Sequence, residues 1–370
     1  MWPLLKSSDN TISIQFFEPV LFIGSHIQTS PVLRGIISIT SHKTCLLKHL
    51  LITFQGVAKI KYVLNNKIVN DQRMINRDQL TLYSAQQSSD EINKHLVLNS
   101  NSSKLSFSFE MPLSTGLPET VECSQIQVGY QFTLDMDYIK DKKIHHQQIR
   151  KPVIVARLPA SKILSGENLP EVIDSRKHLS AWCQYRMIIQ KSAAAIGSTL
   201  PIHIEVAPLI NGLKLKHIFV QLLERRTVMP EVDCIERTCQ FCYFLYPTKR
   251  TSFHLPSSAI DSPWEATADY QIPQKSLTHS TEMYRNYSVH HLLLISLVIG
   301  IPEKGKRTRY INKTISFGSL IDILDKHIVN DIRLPSYRSA ITLEEIENIN
   351  RYGIHHLDLH SSPPDYHTIT

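Results

Sequence analysis

The chain has 370 residues, 42% hydrophobic, 20% charged and 8% aromatic, which is apolar enough to bury a core and too apolar for a disordered chain. Single cores seldom grow past about 250–300 residues, so the length predicts two domains, and 12 Gly are too few for collagen-like or glycine-looped architectures. With 40 Lys and Arg against 33 Asp and Glu, the net charge of +7 suits an acidic partner or an anionic membrane face but is too dilute to predict nucleic-acid binding.

Alternation with period two dominates the chain, the mark of half-buried strands. Ile12, Ile14 and Phe16 alternate with polar neighbours, residues 35–40 continue the pattern, and Leu50, Ile52 and Phe54 share one face. Gly56 then marks a bulge or a close backbone approach. Residues 65–95 are polar without a clear period and read as a long loop or weakly structured insertion. Strands resume at Leu105, Phe107 and Phe109, end at Met111-Pro112, and return over 126–138 and 152–158. Residues 159–180, polar with Pro and Ser, suit an interdomain connection. A second series follows over 185–190, 201–207, 215–223, 289–299 and 313–324, with 225–285 at loop-like density.

The tail is different. Thr342-Leu343-Glu344-Glu345 fits a capping box and Gly353 a left-handed stop, which predicts one short helix over 343–352. The expected fold is therefore all-β: an N-terminal β domain over 1–158, a connection over 159–180, a second β domain over 181–328, and a mostly irregular tail over 329–370.

Six cysteines at 45, 123, 183, 234, 239 and 242 show no framework spacing, which points to a reducing compartment. Met1 to Lys6 lacks the apolar core of a signal peptide, and the longest apolar run, Leu292 to Ile301, is half the ~20 residues that span a bilayer. The expectation is a cytoplasmic protein.

Two motifs invite chemistry that their surroundings deny. Gly300 to Lys306 fits a phosphate-binding loop, but Arg307 stands where Ser or Thr would hold magnesium, and a strand follows where a helix is needed. Cys234, Cys239, Cys242 and His254 offer four zinc ligands but only one closely spaced pair, and residues 241–246 read as a buried strand. No nucleophile elbow, zinc-protease helix or carboxylate pair is present, so neither an enzyme nor a cofactor is expected.

The order of several segments is distinctive. Leu47 to Tyr62, Leu105 to Pro112, Leu117-Pro118-Glu119-Thr120 and Val128 to Phe132 resemble the arrestin N-domain; Ala193 to Gly197, Pro201 to Ile204, Pro208 to Ile218 and Gln221 to Glu224 resemble its C-domain. With the Pro-Tyr tail, the chain resembles fungal arrestin-related trafficking adaptors, the α-arrestins. The resemblance implies two tandem immunoglobulin-type sandwiches, no catalysis, and recruitment of a WW-domain ubiquitin ligase of the HECT type to transporter or receptor cargo at the plasma membrane and endosomes. A sorting or coat subunit acting without a ligase is the alternative. The buried charged core of the phosphate-sensing arrestins is not identifiable in the sequence, so phosphorylation-triggered activation is not inferred from the resemblance.

Within that frame, Pro363, Pro364 and Tyr366 are the first candidate site: paired prolines pre-form a polyproline II ligand for an aromatic groove, and the Tyr fills a second pocket. Leu334, Pro335 and Tyr337 form a weaker version. The basic stretch Lys140, Lys142, Lys143, Arg150 and Lys151, with His145 and His146, is a candidate contact for acidic cargo or anionic lipid, or else a solvated hairpin.

Overall fold

The computed structural model describes residues 10–24, 31–41, 43–85, 96–98, 104–158, 172–248, 253–284, 286–303 and 309–328. The predicted tail helix and both Pro-Tyr motifs lie outside the described residues. Within them every named element is a strand, and no helix is long and apolar enough to cross a membrane.

The first sandwich packs two sheets. One has the order β1-β3-β7, built from β1 (Asn10–Phe16), β3 (Val32–Ser41) and β7 (Lys104–Pro112). The other has the order β2-β10-β9-β4-β5, from β2 (Val20–Gly24), β4 (Cys45–Leu64), β5 (Lys67–Ser84), β9 (Ile126–Lys140) and β10 (Lys143–Leu158). The short strands β6 (Leu96–Leu98) and β8 (Val121–Glu122) pair with β4 and β9.

Alternation places Leu50, Ile52 and Phe54 fully inside, as their spacing predicts. Phe132 closes the core, edge-on to Phe16 at 5.2 Å and stacked on Phe109 at 5.3 Å. Gly56 sits at a register shift between β4 and β5, where an added Cβ would lie 2.6 Å from the Tyr130 ring. The bulge and the close approach are thus the same feature.

The second sandwich repeats the plan. One sheet runs β11-β13-β15-β18, from β11 (Ile173–Asp174), β13 (Cys183–Ile189), β15 (Thr199–Pro208) and β18 (Trp264–Gln271), with β12 (His178–Leu179) against β13. The other runs β14-β21-β20-β16-β17, from β14 (Ala193–Ala195), β16 (Lys214–Val228), β17 (Arg237–Leu245), β20 (Tyr287–Pro302) and β21 (Tyr310–Leu324), with β19 (Thr281–Tyr284) against β20. β20 and β21 are antiparallel, with Pro302 opposite Tyr310, so the described start of the phosphate-loop look-alike, Gly300–Pro302, lies in a strand pair; residues 304–308 lie outside the described residues.

Two expectations need correction. Residues 65–95 are not one loop: β5 pairs along almost the whole of β4, and Asn65-Asn66, at φ 49° and 60°, form the two-residue turn between them. Residues 225–285 likewise hold β17, β18 and β19. Both β5 and β17 are edge strands, held by backbone ladders and open to solvent on one face, so neither shows the alternation that identified the central strands. Residues 241–246 do lie in and after a strand, but Cys242 and Phe244 are exposed, not buried.

The two sandwiches meet across a seam of buried charge. On β16 the core-facing positions are Val220, Leu222, Glu224, Arg226 and Val228. Arg226 pairs with Glu224 through Nε and reaches into the first sandwich, donating from Nη1 to Gln125 Oε1 at 2.8 Å and Ser124 Oγ at 3.1 Å. The Thr278 N–H donates to the other Glu224 oxygen at 3.0 Å, and His291 Nε2 lies 3.6 Å from it. Beside them Arg157, from the end of β10, approaches Glu119 at 3.5 Å and Asp322 at 3.2 Å and donates to the Ser280 carbonyl at 3.3 Å. Val228, Tyr287 and Val289 of the second half are part of the first core.

Removing one partner of a buried pair strands the other charge, at a cost of about 3–5 kcal/mol. Arg226→Met should therefore lower the urea midpoint strongly and split a shared transition into two steps; an unchanged single transition would show that Arg226 does not couple the sandwiches.

Burial pushes the Glu224 carboxyl up, but the His291 imidazole beside it and hydrogen bonds from the Thr278 N–H and Arg226 outweigh it and leave it below its ordinary value. Burial also holds His279 below the ordinary histidine value, with Arg157 and His291 adding to the effect and Asp325 and Asp322 opposing it. Both folded values are depressed, so each contribution is complete above the unfolded value and lost as pH falls through the folded one. Stability should decline as pH drops below about 6.5, and His279→Gln should flatten the upper part of that decline in urea midpoints measured against pH.

Candidate functional site

The basic stretch forms the β9–β10 hairpin. Its turn is Asp141-Lys142, both at positive φ (49° and 65°), so the strands close tightly and Lys140 lies directly opposite Lys143. Lys140, Lys142 and Lys143 therefore gather at one tip. Leu46 pairs with Ile139, which places the start of β4, and Lys43 just before it, at the same end; Lys104 opens β7 there, opposite Thr40. The tip also presents exposed Ile144.

Strand parity separates the remaining predicted residues from this cluster. Arg150 lies seven residues along β10 from Lys143, on the other face of the strand, and donates to Gln148 Oε1 at 2.8 Å. On that face Asp137 holds His146 at 2.8 Å and Asp135 accepts from Gln148 at 2.7 Å, so the charge there is mixed. Lys151 turns inward, donating to the Ile14 carbonyl at 2.8 Å with its ammonium 4.8 Å from the centre of the Phe16 ring. The sequence groups five basic residues, and the fold keeps three together.

Two further clusters were not singled out in the sequence. One is the Glu224–Arg226 seam, a buried charge cluster that was not identified in the sequence and whose signal is charge at core-facing parity after Val220 and Leu222. The other is His203, Glu205 and Glu265 on the outer face of β15 and β18, with ligand atoms within 4.8 Å of one another. Thr267 lies 2.9 Å from His203 Nδ1 and so orients the ring, while Arg186 lies 3.5 Å from Glu205 and offsets its charge. The cluster has the donor set for a divalent cation. Cys239 and Cys242, in contrast, are three apart on one strand and face opposite ways, which scatters the proposed zinc ligands.

Residues 180–316 match the family model for the C-terminal domain of arrestin (or S-antigen). The chain is also similar to the HECT-type ubiquitin ligase-interacting protein apyA of Emericella nidulans, at 23% identity over 228 residues, covering 60% of this chain. The match spans 59% of that relative's length. With two tandem β-sandwiches, an arrestin C-terminal domain match over the second and this fungal relative, the chain has an arrestin-like fold and is similar to the arrestin-related proteins of fungal type.

Proposed function

We propose that the protein is an adaptor that brings a WW-domain ubiquitin ligase of the HECT type to integral membrane proteins at the plasma membrane or endosomes, promoting their ubiquitylation and endocytosis. The observation that carries this reading is Pro363-Pro364-Asp365-Tyr366 in a chain of arrestin-like fold. A relative named for interaction with such a ligase supports it. The adaptor works by recognition alone, from the cytoplasmic side and peripherally to the membrane, with no bond made or broken on its own residues.

Each half has a distinct part. The sandwiches hold cargo, and the tail holds the ligase. Two prolines in sequence fix φ near −65° and remove much of the ordering cost of a polyproline II ligand. Leu334-Pro335-Ser336-Tyr337 supplies a second, weaker motif, and two motifs on one tail engage tandem WW domains bivalently, which raises avidity by roughly 10²-fold. Tyr366→Ala should remove most ligase binding in a pull-down from the full chain, and Tyr337→Ala should remove less. Cargo ubiquitylation should fall in the same order while cargo binding persists. Unchanged ubiquitylation in the double variant would leave the ligase-free sorting subunit as the better reading.

The Lys140, Lys142 and Lys143 tip is the proposed contact for an anionic membrane face. Each exposed Lys near such a surface contributes about 1 kcal/mol. Replacing all three, with Lys142→Asn to suit its left-handed backbone and Gln at the others, should weaken binding to phosphatidylserine vesicles by roughly tenfold or more. Stability should change by less than about 0.5 kcal/mol. Arg150→Gln, on the other face of β10, should bind vesicles like the parent chain. A loss in Arg150→Gln equal to the loss per charge in the triple variant would mean that net charge, and not the tip, carries the attraction.

A further inference from the structure

The outer face of the second sandwich's smaller sheet sets two like charges against each other. β15 and β18 are antiparallel, with His203 opposite Thr267 and Glu205 opposite Glu265. Ile202, Ile204 and Val206 point into the core, so His203 and Glu205 face outward with Thr267 and Glu265 beside them. Carboxylates directly opposite across an antiparallel pair destabilise it. The nearest cation does not remove the repulsion. Arg186, opposite Glu205 on β13, gives Nε and Nη2 to Asp174, at 3.0 and 2.5 Å, and reaches Glu205 only through Nη1 at 3.5 Å. Glu265 has no ion-pair partner among the described residues.

A cation between the strands would reverse the sign of this interaction, and the side chains already approach a coordination sphere. His203 Nε2 and Glu205 Oε1 are 3.3 Å apart, the edge of a tetrahedron whose metal–ligand bonds are about 2.0–2.1 Å. One ligand atom from each of His203, Glu205 and Glu265 lies within 4.8 Å of the other two. Glu265 is exposed, and a change of rotamer closes the remaining gap.

The atoms behind the ligands fit the same chemistry. Thr267 Oγ1 lies 2.9 Å from His203 Nδ1, so an Nδ1–H donated to Thr267 fixes the ring and leaves the Nε2 lone pair as the ligand. Arg186 Nη1 rests on the Glu205 oxygen, as the partners of ligating carboxylates do. A neutral imidazole and two carboxylates balance the charge of a divalent ion.

We propose that His203, Glu205 and Glu265 bind a divalent transition-metal ion of the zinc class, which ties β15 to β18, the last strand of its sheet, with water in the fourth position. The imidazole favours zinc over magnesium and calcium, whose shells are built from oxygen. The site lies apart from the lysine tip and from the Pro-Tyr motifs, and it goes beyond the adaptor reading without depending on it.

Zinc titration of the reduced full chain, followed by calorimetry and by hydrogen exchange, tests the proposal. The exposed Cys234, Cys239 and Cys242 are alternative ligands, so the variants carry the assignment. The parent chain should bind one zinc ion more than His203→Gln, and zinc should slow exchange of the β18 amides by roughly tenfold in the parent alone. Thr267→Val, which keeps all three ligands, should weaken that binding by about 10–100-fold. Magnesium chloride and calcium chloride at the same concentration should give no protection. Should His203→Gln fail to fold, Glu265→Gln, at an exposed position, decides by the same two readouts. Equal zinc uptake by parent and variant overturns the proposal and assigns the metal to other ligands. So does an absence of zinc uptake by the parent. Protection of β18 by magnesium as strong as by zinc also overturns it, since charge screening alone would then be at work.

Discussion

Arg226 on Glu224 is the contact that makes two sandwiches one molecule. Both side chains sit at core-facing positions of a strand whose first half lies in the second core and whose last residue, Val228, lies in the first. A buried ion pair is a poor source of net stability, because desolvation consumes most of the attraction. Its value here is positional. The guanidinium has partners on both sides of the seam, Glu224 and the Ser276 carbonyl on one side and Gln125 and Ser124 on the other, and no sliding of one sandwich on the other keeps them all. Arg157 repeats the arrangement from the opposite direction, joining the end of β10 to the end of β21.

This junction also sets where the proposed contact surfaces lie. The Lys140–Lys143 tip and the end of β10 are separated by the length of that strand, about 50 Å. The tail leaves near the junction, since Ile328 packs beside Leu324, Ala195 and Phe22. A membrane contact at the tip and a ligase held by the tail would thus approach cargo from separate places on a common rigid frame.

The central strands were legible because half-buried strands alternate, and Leu50, Ile52 and Phe54 illustrate this directly. Edge strands escape that logic. β5 faces solvent widely, so its apolar residues follow no period, although the Asn65-Asn66 turn between two β-prone segments was a readable signal. The seam escaped for another reason: Glu224 and Arg226 look like surface charges until the parity of Val220 and Leu222 is carried forward onto them. Parity also divides the basic stretch, since Lys143 and Arg150 are an odd number of residues apart and a strand sends them to opposite faces. The tail motifs are read from chemistry, not from fold, and they lie outside the described residues.

Each sandwich is closed by a parallel pairing between the two ends of its own sequence: Val20 with Ile154 in the first, Ala193 with Asp322 in the second. A ribosome delivers these partners in order, so β2 waits unpaired along that edge until the last residues of β10 have been made, and β14 waits for the end of β21. Such long-range closure pays its loop entropy before any contact rewards it, which slows folding. During that interval the nascent chain presents the open edge of an unfinished sheet, a template for adventitious strand pairing. The same architecture that yields a rigid frame therefore makes biosynthesis its most vulnerable moment.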